Sequence, residues 1–243
     1  MSGTWIAVLT PPLLMVPAMG MLSRLTRSVR PVDGEISRKV LHMSLGTAGL
    51  FFPLFLVDSW MVLLSAGLVV GWMAAVRHVP ALQLRFGGAL HAIQRKSGGE
   101  FYFAAALGFL LLTSAASPVF YVVPLLILTF ADAIAALAGR RFPLGRLGGP
   151  AQGKTALGCV AFVVTAFACC SITLAWLSNL QLSEIMGISL LVAMLSGITE
   201  AVSRGGSDNL TVPVAAWLTL HAAGVDSATG SAIFGQILAG VSG

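Results

Sequence analysis

Apolar residues fall in long runs along this chain, and short polar segments separate the runs. A helix needs about 20 mostly apolar residues to cross the hydrocarbon core of a bilayer. By that measure the pattern predicts spans near 4–22, 41–57, 59–77, 100–116, 118–138, 155–177, 184–203 and 208–224. The tail at 228–243 is apolar but too short to be assigned. The predicted fold is an all-α, polytopic transmembrane helical bundle of about eight spans, with a range of seven to nine.

The basic residues give this bundle an orientation. All fourteen Lys and Arg residues lie in four short segments, at 24–39, at 77–96, at 140–154 and at Arg204. Each gap between segments is long enough for two crossings, which would place every basic residue on one face of the bilayer. Because basic loops mark the cytoplasmic side, the N-terminus is predicted to lie outside. The run from Trp5 to Leu22 has basic residues only after it, so it is interpreted as a retained first helix.

Composition excludes an ordinary soluble domain. The 243 residues have a mean hydropathy of +0.91 and only 9% charged residues, against roughly 25% in soluble domains. The net charge of +5 is attributed to loop anchors that face anionic lipid headgroups, so no nucleic-acid partner is expected. Cys159, Cys169 and Cys170 share one apolar run and have no metal-site spacing. No internal repeat divides residues 1–243, which are predicted to form a single integral-membrane catalytic domain.

The cytoplasmic loop at 78–99 has its own apolar pattern. Leu82, Phe86, Leu90 and Ile93 recur at helical spacing between basic residues. This spacing predicts an interfacial amphipathic helix in the headgroup layer. Two roles stay open for it, a simple anchor and a part in lipid entry.

Two carboxylates lie inside predicted spans, where ionisable groups are costly and usually functional. Asp132 lies about two turns before the inner end of the fifth span, too far from Arg140 and Arg141 to pair along one helix. It is therefore interpreted as an unpaired functional carboxylate, whose replacement by Asn should abolish turnover with little effect on folding. Glu200 has two interpretations, a functional carboxylate or an ion pair with Arg204 at i,i+4.

A glycine-rich, basic segment follows Asp132 and is predicted to bind a polyphosphate. Glycines let backbone N–H groups approach an anion, and a helix start adds partial positive charge. The segment from Gly148 to Thr155 even fits G-x-x-x-x-G-K-[ST], but a P-loop requires a preceding β-strand and here the flanks are membrane helices. The alternative is a glycine-rich turn that only anchors the loop. The candidate phosphate-binding residues here are Gly139, Arg140, Arg141, Gly153, Lys154 and Thr155.

The first and fourth basic segments add further candidates. Arg38 and His42 are four residues apart and would share a helix face, next to Lys39. Together they are candidate phosphate contacts. Asp208 and Asn209 are either N-cap residues of the last span or hard oxygen ligands suited to Mg²⁺.

These four stretches together resemble the family of integral-membrane lipid-alcohol kinases that includes dolichol kinase, phytol kinase and the CTP-dependent diacylglycerol kinase. The order and spacing of the elements match from about residue 38 to residue 213. The family usually has Glu before the glycine of the third element, where this chain has Leu157. The four elements are Arg38, Lys39 and His42; Asp132, Ala135, Gly139 and Arg140; Lys154, Thr155 and Gly158; and Glu200, Asp208, Asn209 and Pro213.

The resemblance implies transfer of a γ-phosphoryl group, typically from CTP, to a long-chain isoprenoid alcohol of the phytol, polyprenol or dolichol type. Such transfer depends mainly on positioning and charge neutralisation. Asp132 and Asp208, assisted by Asn209, would hold Mg²⁺. Glu200 or His42 would orient or deprotonate the alcohol. The phosphoryl oxygens would be neutralised by Lys39, Arg140 and Lys154.

Two other functions remain open at the level of sequence. A CTP-dependent cytidylyltransferase, or a diacylglycerol kinase, would use a similar site on a lipid phosphate or a glycerolipid. A small lipid transporter would instead have polar groups at the midplane and inverted repeats. The polar residues of this chain crowd one predicted interface.

Cysteine labelling tests the predicted orientation. In a background without the three native cysteines, a cysteine at position 28 should react with a membrane-impermeant thiol reagent only after the cells are opened. A cysteine at position 180 should react in intact cells, because the connection at 178–183 is predicted to be outside. Labelling of position 28 in intact cells would reverse the orientation.

Overall fold

The structure is a computed structural model, and it describes residues 5–6, 8–11, 13–14, 34–56, 58–82, 98–114, 118–148, 151 and 153–225. Within these ranges the chain is helical and has no β-strand, so the all-α prediction is confirmed there. One isolated antiparallel bridge pairs Arg146 with Thr155. The predicted amphipathic helix lies mostly outside the described residues, as does the apolar tail.

Eight α-helices are described between residues 34 and 222. A five-residue π-helical turn, Ile127–Ala131, joins the fourth to the fifth without a break, and we call the continuous Pro118–Arg141 the central helix. A short 3-10 turn, Phe52–Leu54, follows the first. The helices are α1 (Gly34–Gly49), α2 (Ser59–His78), α3 (Gly99–Ser114), α4 (Pro118–Leu126), α5 (Asp132–Arg141), α6 (Ala156–Leu177), α7 (Leu182–Val202) and α8 (Asp208–Ala222).

Four of these helices are long and apolar enough to cross a membrane by length and composition: α2, the central helix, α6 and α7. Helix α3 is apolar but shorter. The second predicted span, 41–57, is wrong in its bounds, because α1 begins at Gly34 and ends at Gly49. The hydropathy pattern did not include the polar first turns of α1, where Lys39 forms an ion pair with Asp132. The count of seven to nine spans stays a prediction.

The central helix lies in the middle of the bundle. Within its most apolar window 72% of the residues are buried, against 28% to 39% for the other three candidate spans. One side packs on α6, α7 and α8, where Val123 and Ile127 share a core with Phe162 and Val192. The opposite side carries Tyr121 and Leu125 in a second core. Residues on this helix can therefore contact most of the other elements.

The second core joins the central helix to the first part of the chain. Tyr121 and Leu125 pack with Phe52, Leu56 and Leu110. The buried Tyr121 hydroxyl donates a hydrogen bond of 2.6 Å to the carbonyl oxygen of Gly49. Because a buried hydroxyl is costly without a partner, this bond fixes the end of α1 on α4.

Glycines allow α5 and α6 to approach closely where their polar ends meet. A Cβ on Gly158 would stand 3.1 Å from the Ala135 carbonyl oxygen and 3.5 Å from the Gly139 Cα. A Cβ on Gly139 would stand 2.5 Å from Thr155 Oγ1. Small residues at helix crossings let backbones approach in membrane proteins. The crossing holds the end of α5 next to the start of α6.

The crossing predicts an asymmetry between two identical substitutions. Gly158→Val should lower the stability of the folded protein by about 1–3 kcal/mol, because the added side chain overpacks the contact with α5. Gly67→Val places the same residue on α2, where nothing lies within 4 Å of the new Cβ, and should be nearly neutral. Thermal unfolding in detergent compares the two. Equal loss in both variants would contradict the close crossing.

Candidate functional site

Three carboxylates from three helices meet at one end of the bundle. Asp132 is the first residue of α5, Glu200 lies in the last turn of α7, and Asp208 is the first residue of α8. One carboxylate oxygen from each lies within 4.8 Å of the others. Asp132 and Glu200 are buried, and Asp208 is partly exposed. Repulsion among three such charges requires cations nearby.

Lys39 supplies the first cation. Its Nζ lies 2.5 Å from Asp132 Oδ2, and the two residues are only 3% and 4% exposed. The prediction that Asp132 is unpaired is therefore wrong. The prediction was based only on partners along the same helix. In the structure α1 packs against the π turn and places Lys39, 93 residues earlier in the chain, next to Asp132.

Lys154 supplies the second cation. Its Nζ forms an ion pair with Glu200 Oε1 and lies 3.7 Å from Asp208 Oδ2. Burial lowers the pKa of Lys154, but the carboxylates of Glu200, Asp208 and Asp132 outweigh burial, and the pKa lies above its usual value. Lys154 is therefore protonated at neutral pH. Since Lys154 binds Glu200, the local pairing with Arg204 is not needed to explain how that carboxylate is buried.

The loop before α6 places Lys154 by backbone hydrogen bonds. Leu147 N donates to Lys154 O at 3.0 Å, and Ala156 N donates to Gly145 O at 2.8 Å. Gly145 has a φ of +64°, which a glycine adopts without strain. Thr155 is the N-cap of α6, and its Oγ1 accepts from Gly158 N at 3.1 Å. The lysine thus projects from a folded turn next to a helix start.

His42 lies beside Asp132 but bonds to the central helix. Its Nε2 is 2.8 Å from the Leu128 carbonyl oxygen and 3.8 Å from Asp132 Oδ2. Because a carbonyl oxygen can only accept, Nε2 carries the proton and donates it to Leu128. The ring also makes an edge contact with Phe103, with centroids 4.8 Å apart.

Asp208 and Asn209 are the first two residues of α8, not its N-cap. The N-cap is Ser207, which makes no side-chain cap bond. The buried Asn209 amide nitrogen donates to the Gly99 carbonyl oxygen at 2.8 Å. Asn209 thereby ties the start of α8 to the start of α3, and Asp208 next to it points into the carboxylate cluster.

The other predicted phosphate contacts lie on the neighbouring helix ends and on the loop before α6. Arg140 and Arg141 are exposed at the end of α5, with the Arg141 guanidinium 5.0 Å from the centre of the Phe142 ring. Gly153 has a φ of +93° and open space where a Cβ would be. Arg38 lies in α1 next to Lys39, and its side chain is outside the described residues. Six predicted residues do come together: Lys39, His42, Asp132, Lys154, Glu200 and Asp208.

The π turn and the packing of α1 on it were not predicted from the sequence, although Lys39 and His42 of α1 were. A signal existed, because Pro124 lies inside α4 and proline commonly marks an irregular helix. The pattern could not place the irregularity at residues 127–131.

The donor set fits a hard divalent cation together with phosphate. Three converging carboxylates supply the oxygen ligands that Mg²⁺ prefers. Two lysines and the start of α6 supply positive charge for phosphoryl oxygens.

Comparison with known proteins agrees with this chemistry. The chain is 28% identical over 196 residues to phytol kinase of Synechocystis sp. (strain ATCC 27184 / PCC 6803 / Kazusa), over 80% of each chain. The predicted family resemblance is confirmed. No family model matches the sequence, and no solved structure matches it.

The Lys39–Asp132 pair revises the expected effect of changing Asp132. Asp132→Asn leaves Lys39 buried without its counter-charge, and Lys39→Met does the same to Asp132. Each single change should destabilise the fold by about 3–5 kcal/mol. The double variant should recover much of the loss, since no buried charge remains unpaired. Thermal unfolding of the wild type, the two single variants and the double variant gives the coupling free energy between the two residues. If the losses of stability in the single variants simply add in the double variant, the ion pair is contradicted.

Proposed function

We propose that this chain is a membrane-embedded kinase that transfers a phosphoryl group from CTP, or another nucleoside triphosphate, to a long-chain isoprenoid alcohol. The observation that carries the proposal is the meeting of three carboxylates and two lysines at one end of an apolar helical bundle. The similarity to a phytol kinase supports a prenol-type acceptor. The basic residues at the same end favour a cytoplasmic site.

The carboxylates are assigned to a metal–nucleotide complex. Asp132 and Asp208 would hold Mg²⁺, with Glu200 close to both. When bound, the metal would neutralise charge on the phosphates. Asn209 was predicted as a further ligand. Its amide nitrogen donates to Gly99 O, which holds the start of α8, and Asp208 with it, in place, and the side-chain oxygen of Asn209 is the atom that would bind the metal.

The lysines are assigned to the phosphoryl oxygens. Lys154 is protonated, stands next to the start of α6 and is partly exposed, so it can reach an arriving phosphate. Lys39 is buried against Asp132 and would neutralise the negative charge of that carboxylate. Arg140 and Arg141 at the exposed end of α5 would attract the triphosphate by long-range charge.

The phosphoryl group would then be transferred by in-line displacement. The alcohol oxygen bonds to the γ-phosphorus while the bond from that phosphorus to the bridging oxygen breaks, which releases the nucleoside diphosphate. The hydroxyl proton leaves to a base. Of the two predicted bases we favour Glu200, because it belongs to the carboxylate cluster, whereas the His42 nitrogen next to the cluster, Nε2, carries a proton that it donates to Leu128 O and cannot accept another. Lys154 would turn from Glu200 to the phosphates and free the carboxylate.

The acceptor reaches the site from the bilayer. Asp132 and Glu200 lie within the ends of apolar helices, so a lipid hydroxyl near the interface can approach them while its chain stays in the hydrocarbon. A transporter would place its polar groups near the midplane, and the charged cluster here lies at one end.

The donor and the acceptor are tested directly with the purified protein. CTP and ATP, each labelled on the γ-phosphate, are supplied with phytol, a polyprenol, dolichol and diacylglycerol. Labelled prenyl phosphate is the expected product. Labelled diacylglycerol phosphate would instead support a diacylglycerol kinase. A separate reaction with α-labelled CTP and a prenyl phosphate tests the cytidylyltransferase, which would form labelled CDP-lipid and release pyrophosphate.

Lys154 gives the sharpest prediction at this site. Lys154→Gln should lower kcat/KM for the nucleotide by roughly 10²-fold, the effect of losing one preorganised electrostatic contact. Arg146→Gln is the matched control, since it removes an exposed charge from the same loop and should have little effect. Steady-state kinetics at saturating and limiting CTP measure both. Equal effects of the two changes would leave Lys154 as a loop anchor.

A further inference from the structure

One face of α1 lies along the central helix. Lys39, His42, Gly46 and Gly49 are spaced i, i+3, i+7 and i+10, the positions that share one helix face. Each of them makes a separate contact with the central helix. The contacts are Lys39 with Asp132, His42 with the Leu128 carbonyl, Gly46 with Thr129, and the Gly49 carbonyl with the Tyr121 hydroxyl.

Thr129, in the middle of this contact, is an exception among the helical threonines of the described residues. Every other one donates its hydroxyl to the carbonyl four residues earlier: Thr10, Thr47, Thr113, Thr165, Thr173, Thr199, Thr211 and Thr219. Thr129 is 1% exposed, and its Oγ1 has no hydrogen-bond partner within the described part of the chain. Because a buried hydroxyl without a partner is costly, packing must hold it there.

Gly46 is what allows that packing. A Cβ on Gly46 would stand 2.7 Å from Thr129 Cγ2 and closer still to Thr129 Oγ1. At Gly49, three residues later, an added Cβ would meet only leucine methyl groups at 3.3 Å or more. Along α1, steric contact therefore requires glycine at position 46, opposite the π turn, but not at position 49.

The π turn sets the direction of the Asp132 carboxylate. A π turn adds one residue to a helix and so rotates the residues after it by about 100° relative to those before. Asp132 follows the turn directly. A change in the turn would swing its carboxylate away from Glu200 and Asp208.

We propose that α1 locks the π turn in register, and that His42 and Gly46 are positioning residues: through the Leu128 carbonyl and the close approach to Thr129 they aim Asp132 into the carboxylate cluster. The consequence for catalysis rests on the proposed kinase function. His42 acts here as a donor to Leu128 O and not as the base.

A cycle of alanine substitutions tests the lock. At saturating Mg²⁺, Gly46→Ala should lower kcat by about tenfold or more while KM for the alcohol changes little, because displacement of a catalytic group by about 1 Å is costly. Thr129→Ala alone should be close to wild type. The double variant should recover most of the loss, since it removes two of the three atoms nearest to the new Cβ. Gly49→Ala is the matched control and should be nearly neutral.

His42 is tested separately, so that the inference stands or falls even if Gly46→Ala does not fold. His42→Gln keeps an N–H donor for Leu128 O and should retain at least about a tenth of kcat with an unchanged pH profile. His42→Ala should lose more. A large loss in His42→Gln, with one limb of the pH profile missing, would make His42 the base and overturn its positioning role.

Binding of Mn²⁺, followed by electron paramagnetic resonance in detergent, gives a readout that needs no turnover. Gly46→Ala should weaken Mn²⁺ binding, and addition of Thr129→Ala should restore it. The lock is overturned if Gly46→Ala keeps wild-type kcat and Mn²⁺ affinity, if the double variant recovers neither, or if Thr129→Ala alone is inactive. If the Mn²⁺ pattern holds but the wild type transfers no phosphoryl group, the proposed function fails and the lock stands.

Discussion

The arrangement of this protein depends on one electrostatic constraint, the cost of bringing three carboxyl groups together at the end of an apolar bundle. Such a cluster is unstable alone, because each charge loses solvation and repels the other two. Lys39 and Lys154 compensate for both effects. One lysine arrives on a helix and the other on a loop, so the charge balance requires α1 and the segment before α6 to lie where they do.

The same constraint is consistent with the high burial of the central helix. It carries Asp132, and it must contact α1 for Lys39 and α6 to α8 for the remaining charges. The glycines at the contacts of this helix, Gly46, Gly139 and Gly158, allow the short separations that these ion pairs require. Packing and electrostatics are therefore coupled, since a side chain added at a crossing displaces a charge as well as a backbone.

The two lysines differ in a way that suits a site which binds an anionic substrate. Lys39 is almost fully buried against its carboxylate, while Lys154 is partly exposed on a turn. A buried pair gains little from exchanging partners, because either charge would be left without compensation. A partly exposed lysine can move from a carboxylate to a phosphate at lower cost. The division of labour in the proposed reaction follows from this difference in burial.

The sequence by itself determined the all-helical class, the clustering of the basic residues in four segments and most of the residues that meet in the site. Those properties follow from local composition, since long apolar runs need a helix in lipid and basic residues stay out of it. Only the tertiary structure decided that Asp132 is paired, that Asn209 ties two helices together, and that a π turn aims the carboxylate. Each of these depends on a partner distant in sequence, Lys39, Gly99 or Gly46, and a periodic pattern along one helix holds no information about which helix packs beside it.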